Sequence, residues 1–294
     1  MLNYKKSIGE YIFDMANALF MLFMIIITLY PFIFIVFASL SVPKRFLAHS
    51  GILLQPLGFS LQSYRAVINN PNIISGYINT AFVVTVGTTC NIIATALGAY
   101  VLSRKNLFWK GPLMFMCVLT MYIGGGLIPN YLLVRGLNLI NSRWALILPG
   151  LISTYNMIVM RTAFMGVPVS LEESARIDGA KNHTILFKIV VPLCIPTMAV
   201  IALFYAVGHW NSWFSAMIYL PDTSKHPLQL VLREILINAQ TSEMTMDDAY
   251  SERYAVSQTV KYATIIVATI PILLLYPYLQ KYFVKGVMIG AIKG

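Results

Sequence analysis

Charge is what this chain has least of. Asp, Glu, Lys and Arg together make up 11% of its 294 residues, whereas a soluble domain carries about 25%. A freely soluble globular protein is thereby excluded. Cysteine is nearly absent too: Cys90, Cys117 and Cys194 are an odd number with no spacing motif, which argues against a disulfide framework or a thiolate metal site. Each falls in an apolar stretch, where packing is the ordinary role. No G-x-x-x-x-G-K-[ST] phosphate loop, H-E-x-x-H, G-x-S-x-G or Cys/His cluster occurs, so ATP binding by that loop and the common hydrolytic chemistries are excluded. Of four histidines only His209 lies near an apolar span. Convergent nucleophile, acid and base groups cannot be assembled, so the chain reads as a non-enzyme with no catalytic residues, no metal site and no cofactor of its own. Low-complexity tracts and 20–50-residue repeats are missing as well.

What is present is apolar. Hydrophobic residues make up 58% of the chain and its mean hydropathy is +0.72. Six runs contain no Asp, Glu, Lys or Arg: Met15–Pro43, Ala66–Ser103, Gly111–Val134, Trp144–Met160, Ile189–Pro221 and Tyr262–Gln280. A helix needs about 20 apolar residues to cross the hydrocarbon. The reading is an all-α polytopic membrane protein with six transmembrane helices and both termini on one side. Twelve of the 21 lysines and arginines fall in the segments that an inside N-terminus would place inside. The nine others include four in the long 222–261 loop, three of them away from Lys261 at its end, and long loops count less toward orientation. The expectation is N-in and C-in. The net charge of +10 is then a topology signal and needs no nucleic acid to explain it.

This topology divides the chain into a cytoplasmic N-terminus (1–14), a six-helix domain (15–284) and a cytoplasmic tail (285–294). The apolar run after Asp14 is too long for the core of a signal peptide, so it reads as an uncleaved first helix. An inner loop spans 166–192 and an outer loop 222–261. In the outer loop, Leu228, Leu230, Val231, Leu232, Ile235, Leu236 and Ile237 predict an amphipathic helix. Gly87, Ala94, Ala96, Gly98 and Ala99 predict close helix packing in the second run. Gly124-Gly125-Gly126 and Pro129 interrupt the third, as a kink or as backbone lining a cavity.

The inner loop has local grammar of its own. Ser170 and Glu173 have capping-box spacing, Gly179 suits a left-handed helix stop, and Asn182–Val190 reads as a second helix ended by Pro192. The spans carry neutral polar and aromatic residues in place of ionisable ones, unlike ion pumps and proton-coupled carriers. Asn79, Tyr122, Tyr155, Asn156, Trp210, Asn211 and Trp213 are the candidates for a substrate path, because amides and aromatic faces suit a hydroxyl-rich solute. Arg135 and Arg143 flank the outer turn between the third and fourth runs.

The segment Glu173-Ser174-Ala175-Arg176-Ile177-Asp178-Gly179, nine residues, then Ile189-Val190-Val191-Pro192, resembles the E-A-A-x-x-x-G-x9-I-x-L-P loop of ABC-importer permeases. It departs at Ser174 and Val191. Tyr100-Val101-Leu102-Ser103-Arg104, Leu137-Asn138-Leu139-Ile140-Asn141, Trp210-Asn211-Ser212-Trp213-Phe214 and the ending Gln280–Gly286 with Gly290-Ala291-Ile292-Lys293-Gly294 extend the likeness to maltose-type carbohydrate importers. The Gly124–Pro129 segment with Tyr131-Leu132-Leu133 is similar to their complex-oligosaccharide branch. The resemblance implies a type I importer (MetI-like) fold in a bacterial cell membrane. It also implies a second homologous permease in a heterodimer, two ATPase subunits that hold ATP and Mg, a solute-binding protein outside and an oligosaccharide substrate. Glu172, Glu173, Ser174, Ala175, Asp178, Gly179 and Ala180 would form the ATPase-coupling element. Lys285, Gly286, Gly290 and Lys293 would form a tail near the ATPases. Two alternatives stay open: an ABC permease for a polyamine, phosphate or amino acid, and a solo secondary carrier.

Overall fold

The computed structural model of the chain describes the backbone of residues 7–244 and 252–291, and side chains of residues 7–237, 255–274 and Pro277. Among these residues the structure is helical without strands. In order come α1 (Ile8–Leu40), α2 (Pro43–Leu47), α3 (Gln62–Ile68), α4 (Pro71–Ser103), α5 (Lys110–Tyr122), α6 (Leu127–Gly136) and a 3-10 turn (Arg143–Leu146). They are followed by α7 (Thr154–Met165), α8 (Val169–Ile177), α9 (Asn182–Ile185), a π-turn (Leu186–Val190), α10 (Val191–Leu193) and α11 (Ile195–Trp210). The chain continues through α12 (Trp213–Tyr219), α13 (Leu228–Met244) and α14 (Glu252–Ala291).

Among the described residues three helices are long and apolar enough to cross a membrane: Ile8–Leu40, Pro71–Ser103 and Ala255–Leu274. Two bent pairs raise this to five, α5 with α6 at 114° and Asn182–Leu193 with α11 at 87°. Gly124–Gly126 therefore makes a sharp turn and not a gentle kink. The remaining expected run, Trp144–Met160, the fourth in order, is not one helix. It is a 3-10 turn, a non-helical stretch around Pro149-Gly150, and the start of α7. Proline removes a backbone donor and glycine adds freedom, so this dipeptide ends helix.

The chain divides into two compact units. In the first (residues to Asn70, with Glu234–Ile270), Ser7 and Glu10 form a reciprocal capping box at the start of α1. The packed end of α1 is the last turn, where Ala38 and Ser39 are buried. Ser39 Oγ bonds Tyr64 OH at 2.8 Å, Ser63 Oγ donates to Thr259 Oγ1 at 2.7 Å, and Phe34, Phe46 and Tyr262 meet edge to face. Elsewhere α1 exposes Phe20, Phe23, Ile26 and their neighbours. Lipid or another chain must cover such a helix.

In the second unit (Pro71–Arg233 and from Pro271 onward) α4 is the axis, with α11 and α7 packed along it. Ala96, Ala99, Met157, Met160, Phe164, Ile185, Ile201 and Tyr205 form one buried cluster. A second cluster joins Val83, Val134, Ile147, Ala216, Leu220 and Leu230. The expected close approach on α4 is real: a Cβ added at Gly87 would lie 2.6 Å from His209 Nε2. Cys194 is buried, Cys90 and Cys117 are half-buried, and all three are free. The predicted helix in the outer loop forms as α13, and Leu228, Leu230, Val231 and Leu232 are its buried face.

Candidate functional site

The 166–192 loop is an exposed helix, a glycine turn and a second helix. Its first part starts two residues earlier than the Ser170–Glu173 spacing predicts. Pro168 is the N-cap with an extended ψ of 128°, Val169 is already helical, and no side chain caps the end. Ser170 therefore lies inside the helix, and the capping box does not form. The other end matches expectation. Gly179 has φ +79°, its N–H reaches Arg176 O at 3.0 Å, and Ala180 N–H reaches Ala175 O at 2.8 Å. These two bonds are the Schellman closure, which needs a left-handed residue and favours a small apolar contact beside it. Ala175 and Ala180 supply that contact and pack on the core.

The second part also departs from expectation. The segment from Asn182 does not end at Pro192. It widens into the π-turn Leu186–Val190, passes through Val191–Leu193 and breaks at Cys194. Pro192 cannot donate to the carbonyl four residues back, and the wider register, with Val191 N–H on Leu186 O, accommodates that loss as π-bulges do.

The coupling candidates divide by face. Glu173, Ser174, Asp178 and Gly179 are exposed, Ala175 and Ala180 are half-buried, and Glu172 is buried. Ile177, absent from the sequence-based set, is 87% exposed. It lies four residues after Glu173 and therefore on the same face. Glu172 turns inward onto Arg104, whose Nη1 bonds its Oε2. Arg104 stacks over Tyr100 at 4.4 Å and bonds Ser103 Oγ through Nε and Nη2. The Tyr100–Arg104 segment singled out in the sequence thus meets the inner loop in space. At the other end of α4, Asn79 donates to Ser224 O (2.8 Å) and His226 O (3.0 Å). That turn is closed by Asp222, whose carboxyl is held below its ordinary range by hydrogen bonds from Ser224, with Lys225 adding to the effect. Asn79 and Arg104 are 25 residues apart along this helix and its end, about 38 Å at 1.5 Å per residue, so the two connections are about a membrane thickness apart.

Between them lies a polar ladder. Asn91 donates to Gly150 O (2.9 Å) and Leu151 O (2.7 Å), and its Oδ1 faces His209 Nε2 at 2.7 Å. One turn on, Thr95 Oγ1 bonds Tyr205 OH at 2.7 Å, and Tyr205 OH accepts from Ser153 N–H at 2.9 Å. Two side chains of α4 and two of α11 thereby hold the broken 150–153 backbone, which would otherwise be unsatisfied inside the membrane.

The substrate-path candidates do not gather around one described cavity. Asn156 is buried in the first turn of α7, where Ser153 Oγ caps its N–H. Tyr155 and Tyr122 are exposed, Tyr122 to 82%. Trp210 Nε1 is buried without a partner, Asn211 Nδ2 donates to Val207 O, and Trp213 lies under Arg233 at 4.6 Å. Of the tail residues, Lys285, Gly286 and Gly290 are on α14, and Lys293 lies outside the described residues. No group of His, Cys, Asp and Glu among the described residues is placed to hold a metal ion.

A buried helix pair bridged by amides, a broken span and an exposed helix–glycine–helix loop define an integral membrane transport subunit. The chain belongs to the family of binding-protein-dependent transport system inner membrane components, whose description matches residues 8–289. It is 42% identical over 283 residues to the polygalacturonan/rhamnogalacturonan transport system permease protein YtcP of Bacillus subtilis, covering 96% of this chain and 99% of that one. It is 38% identical to protein LplC of the same organism, over 96% of this chain and 95% of that one. Among solved structures it is similar, with a TM-score of 0.85 and 30% identity, to a chain of a bacterial ABC transporter involved in the import of the acidic polysaccharide alginate. That likeness covers 96% of this chain and 100% of the other. Membership makes this a permease subunit of an ABC transporter with the MetI-like fold, and a transport component without enzymatic activity of its own.

Proposed function

We propose that this chain is one of two related transmembrane subunits of an ATP-driven, binding-protein-dependent importer of oligosaccharides. Two ATPase subunits carry ATP and Mg, and an extracytoplasmic protein delivers the sugar. In this reading loop 166–192, the N-terminus (1–14) and the tail (285–294) face the cytoplasm. The exposed face of α8 docks on an ATPase, and its displacement switches the permease pair between outward- and inward-open states. A coupling claim of this kind requires an element that both sites bias. Asn156, Trp210 and Asn211 lie along the sugar's path in one of those states, with Asn79, Tyr122, Tyr155 and Trp213 beside it.

One observation carries the reading. An exposed short helix, closed by a glycine that no other residue replaces without strain, presents Glu173 and Ile177 to solvent with no cover from the described residues. The sugar class is supported by the near-full-length relatives of that description. The test is to reconstitute the chain with its second permease, ATPase and binding protein in proteoliposomes, and to measure ATP hydrolysis against a panel of sugars, amino acids, polyamines and phosphate. Stimulation by an oligosaccharide-loaded binding protein is the expected result. Stimulation by a non-sugar alone, or hydrolysis indifferent to every solute, overturns it.

A further inference from the structure

The coupling helix is held less firmly than its role demands. No described element packs broadly against α8. Two cavities flank the space between it and the end of α4, of about 360 Å³ and about 390 Å³. Arg104 lines both. The guanidinium therefore crosses a gap, and its ion pair with Glu172 is the charged connection over it. Open clefts on both sides leave this ion pair and the small contact of Ala175 and Ala180 on the core to transmit a push there, because packing transmits strain only where atoms touch.

Arg104 is itself fixed to α4. Two of its nitrogens bond Ser103 Oγ, its plane lies on Tyr100, and its carbonyl accepts from Lys110 Nζ at 3.0 Å. Glu172 is 10% exposed at its side chain and Arg104 21%, so water screens the pair weakly. A forked guanidinium fixed by stacking and by a neighbouring hydroxyl loses little further freedom on binding a carboxylate. Such a group behaves as a strut.

We propose that Arg104 and Glu172 are a positioning pair which carries displacement of α8 to the inner end of α4. The pair acts through the docking helix and does not itself touch the ATPase. This rests on the permease reading above. A displacement delivered to α4 reaches the helix whose Asn91 and Thr95 grip the broken 150–153 segment.

The experiment uses the whole reconstituted transporter. Its readouts are sugar taken up per ATP hydrolysed and retention of the ATPase subunits on purification. Arg104→Gln and Glu172→Gln should each lower uptake per ATP by roughly two- to thirtyfold, the range seen for changes along coupling elements, while the ATPase is retained. The swap Arg104→Glu with Glu172→Arg should recover a large part of that loss, and Arg104→Lys less. Either single variant coupling like wild type overturns the strut. So does a swap no better than the singles, or loss of the ATPase from Glu172→Gln, which would put that carboxylate in the docking face. Should the singles fail to accumulate in the membrane, a swap that accumulates and couples supports the pair, and one that does not overturns it. Failure of the unmutated transporter to respond to its binding protein would overturn the importer reading instead, before any variant is compared.

Discussion

His209 donates from Nε2 to Asn91 Oδ1 across 2.7 Å, and the direction of that bond is fixed by what Asn91 does with its nitrogen. Both amide hydrogens are used on Gly150 O and Leu151 O, leaving only the oxygen for the imidazole, so Nε2 must carry the proton. Gly87, one turn earlier on α4, makes room for the ring. A sequence reading that treats His209 as an interfacial or packed histidine and Gly87 as a generic small residue misses that the two are one feature.

The first prediction follows from that geometry. Gly87→Ala should destabilise the purified complex by about 1–3 kcal/mol through overpacking, and His209→Ala by about 1–3 kcal/mol through the orphaned amide oxygen. The two effects should not add, because removing the ring removes the clash. Thermal unfolding in detergent reads this directly. Strict additivity would place the cost at Gly87 elsewhere.

Gly179→Val should leave the chain inserted and uncoupled. At φ +79° a β-branched residue is strained by roughly 1–3 kcal/mol, and relief of that strain opens the Schellman closure at Ala175 and Ala180. Transport and binding-protein-stimulated hydrolysis should both fall while the amount in the membrane holds. Normal transport by this variant would remove the turn from the coupling mechanism.

How far the sequence reached depends on whether the signal was local. Gly179 was legible because a left-handed stop is a property of one residue. The misplaced start of α8 is not, since Pro168 outcompetes Ser170 for the cap position, and two local signals two residues apart cannot be ranked by spacing alone. The fourth run read as a span because it lacks charge, yet Pro149-Gly150 breaks it, and the amide of Asn91, some sixty residues away in the chain, makes the break tolerable together with the Tyr205 hydroxyl. Glu172 was grouped with its neighbours by motif, and its inward turn required knowing that the end of α4 lies beside it. Pairings of that kind are invisible to periodicity.

Ile177 is the residue to change on the proposed docking face. An apolar side chain 87% exposed beside Glu173 has the form of a binding anchor, and such anchors cost about 2 kcal/mol or more when truncated. Ile177→Asp should reduce copurification of the ATPase by roughly tenfold or more, and Ile177→Leu should be tolerated. Equal retention by both would mean that the ATPase contacts another part of the loop.

The last prediction separates an acidic sugar from a neutral one. Arg135 and Arg143 flank the same turn, which the proposed topology places outside, and the structure gives them different environments. Arg135 is exposed, while Arg143 lies 5.3 Å over the Phe82 ring with its Nε buried. Only the exposed one is free to steer a passing carboxylate. Replacing Arg143 with Gln should lower stability and affect all sugars alike, because a stacked guanidinium also contributes packing. Arg135→Gln should leave stability unchanged. If the cargo is a uronate oligosaccharide, the same variant should depress its uptake at low salt and have little effect at high salt, since screening removes steering from wild type as well. Uptake measured for a galacturonate oligosaccharide and a neutral one across a salt series distinguishes the cases. A salt-independent loss, or none, would assign the recognition of acidic groups to the binding protein or the second permease.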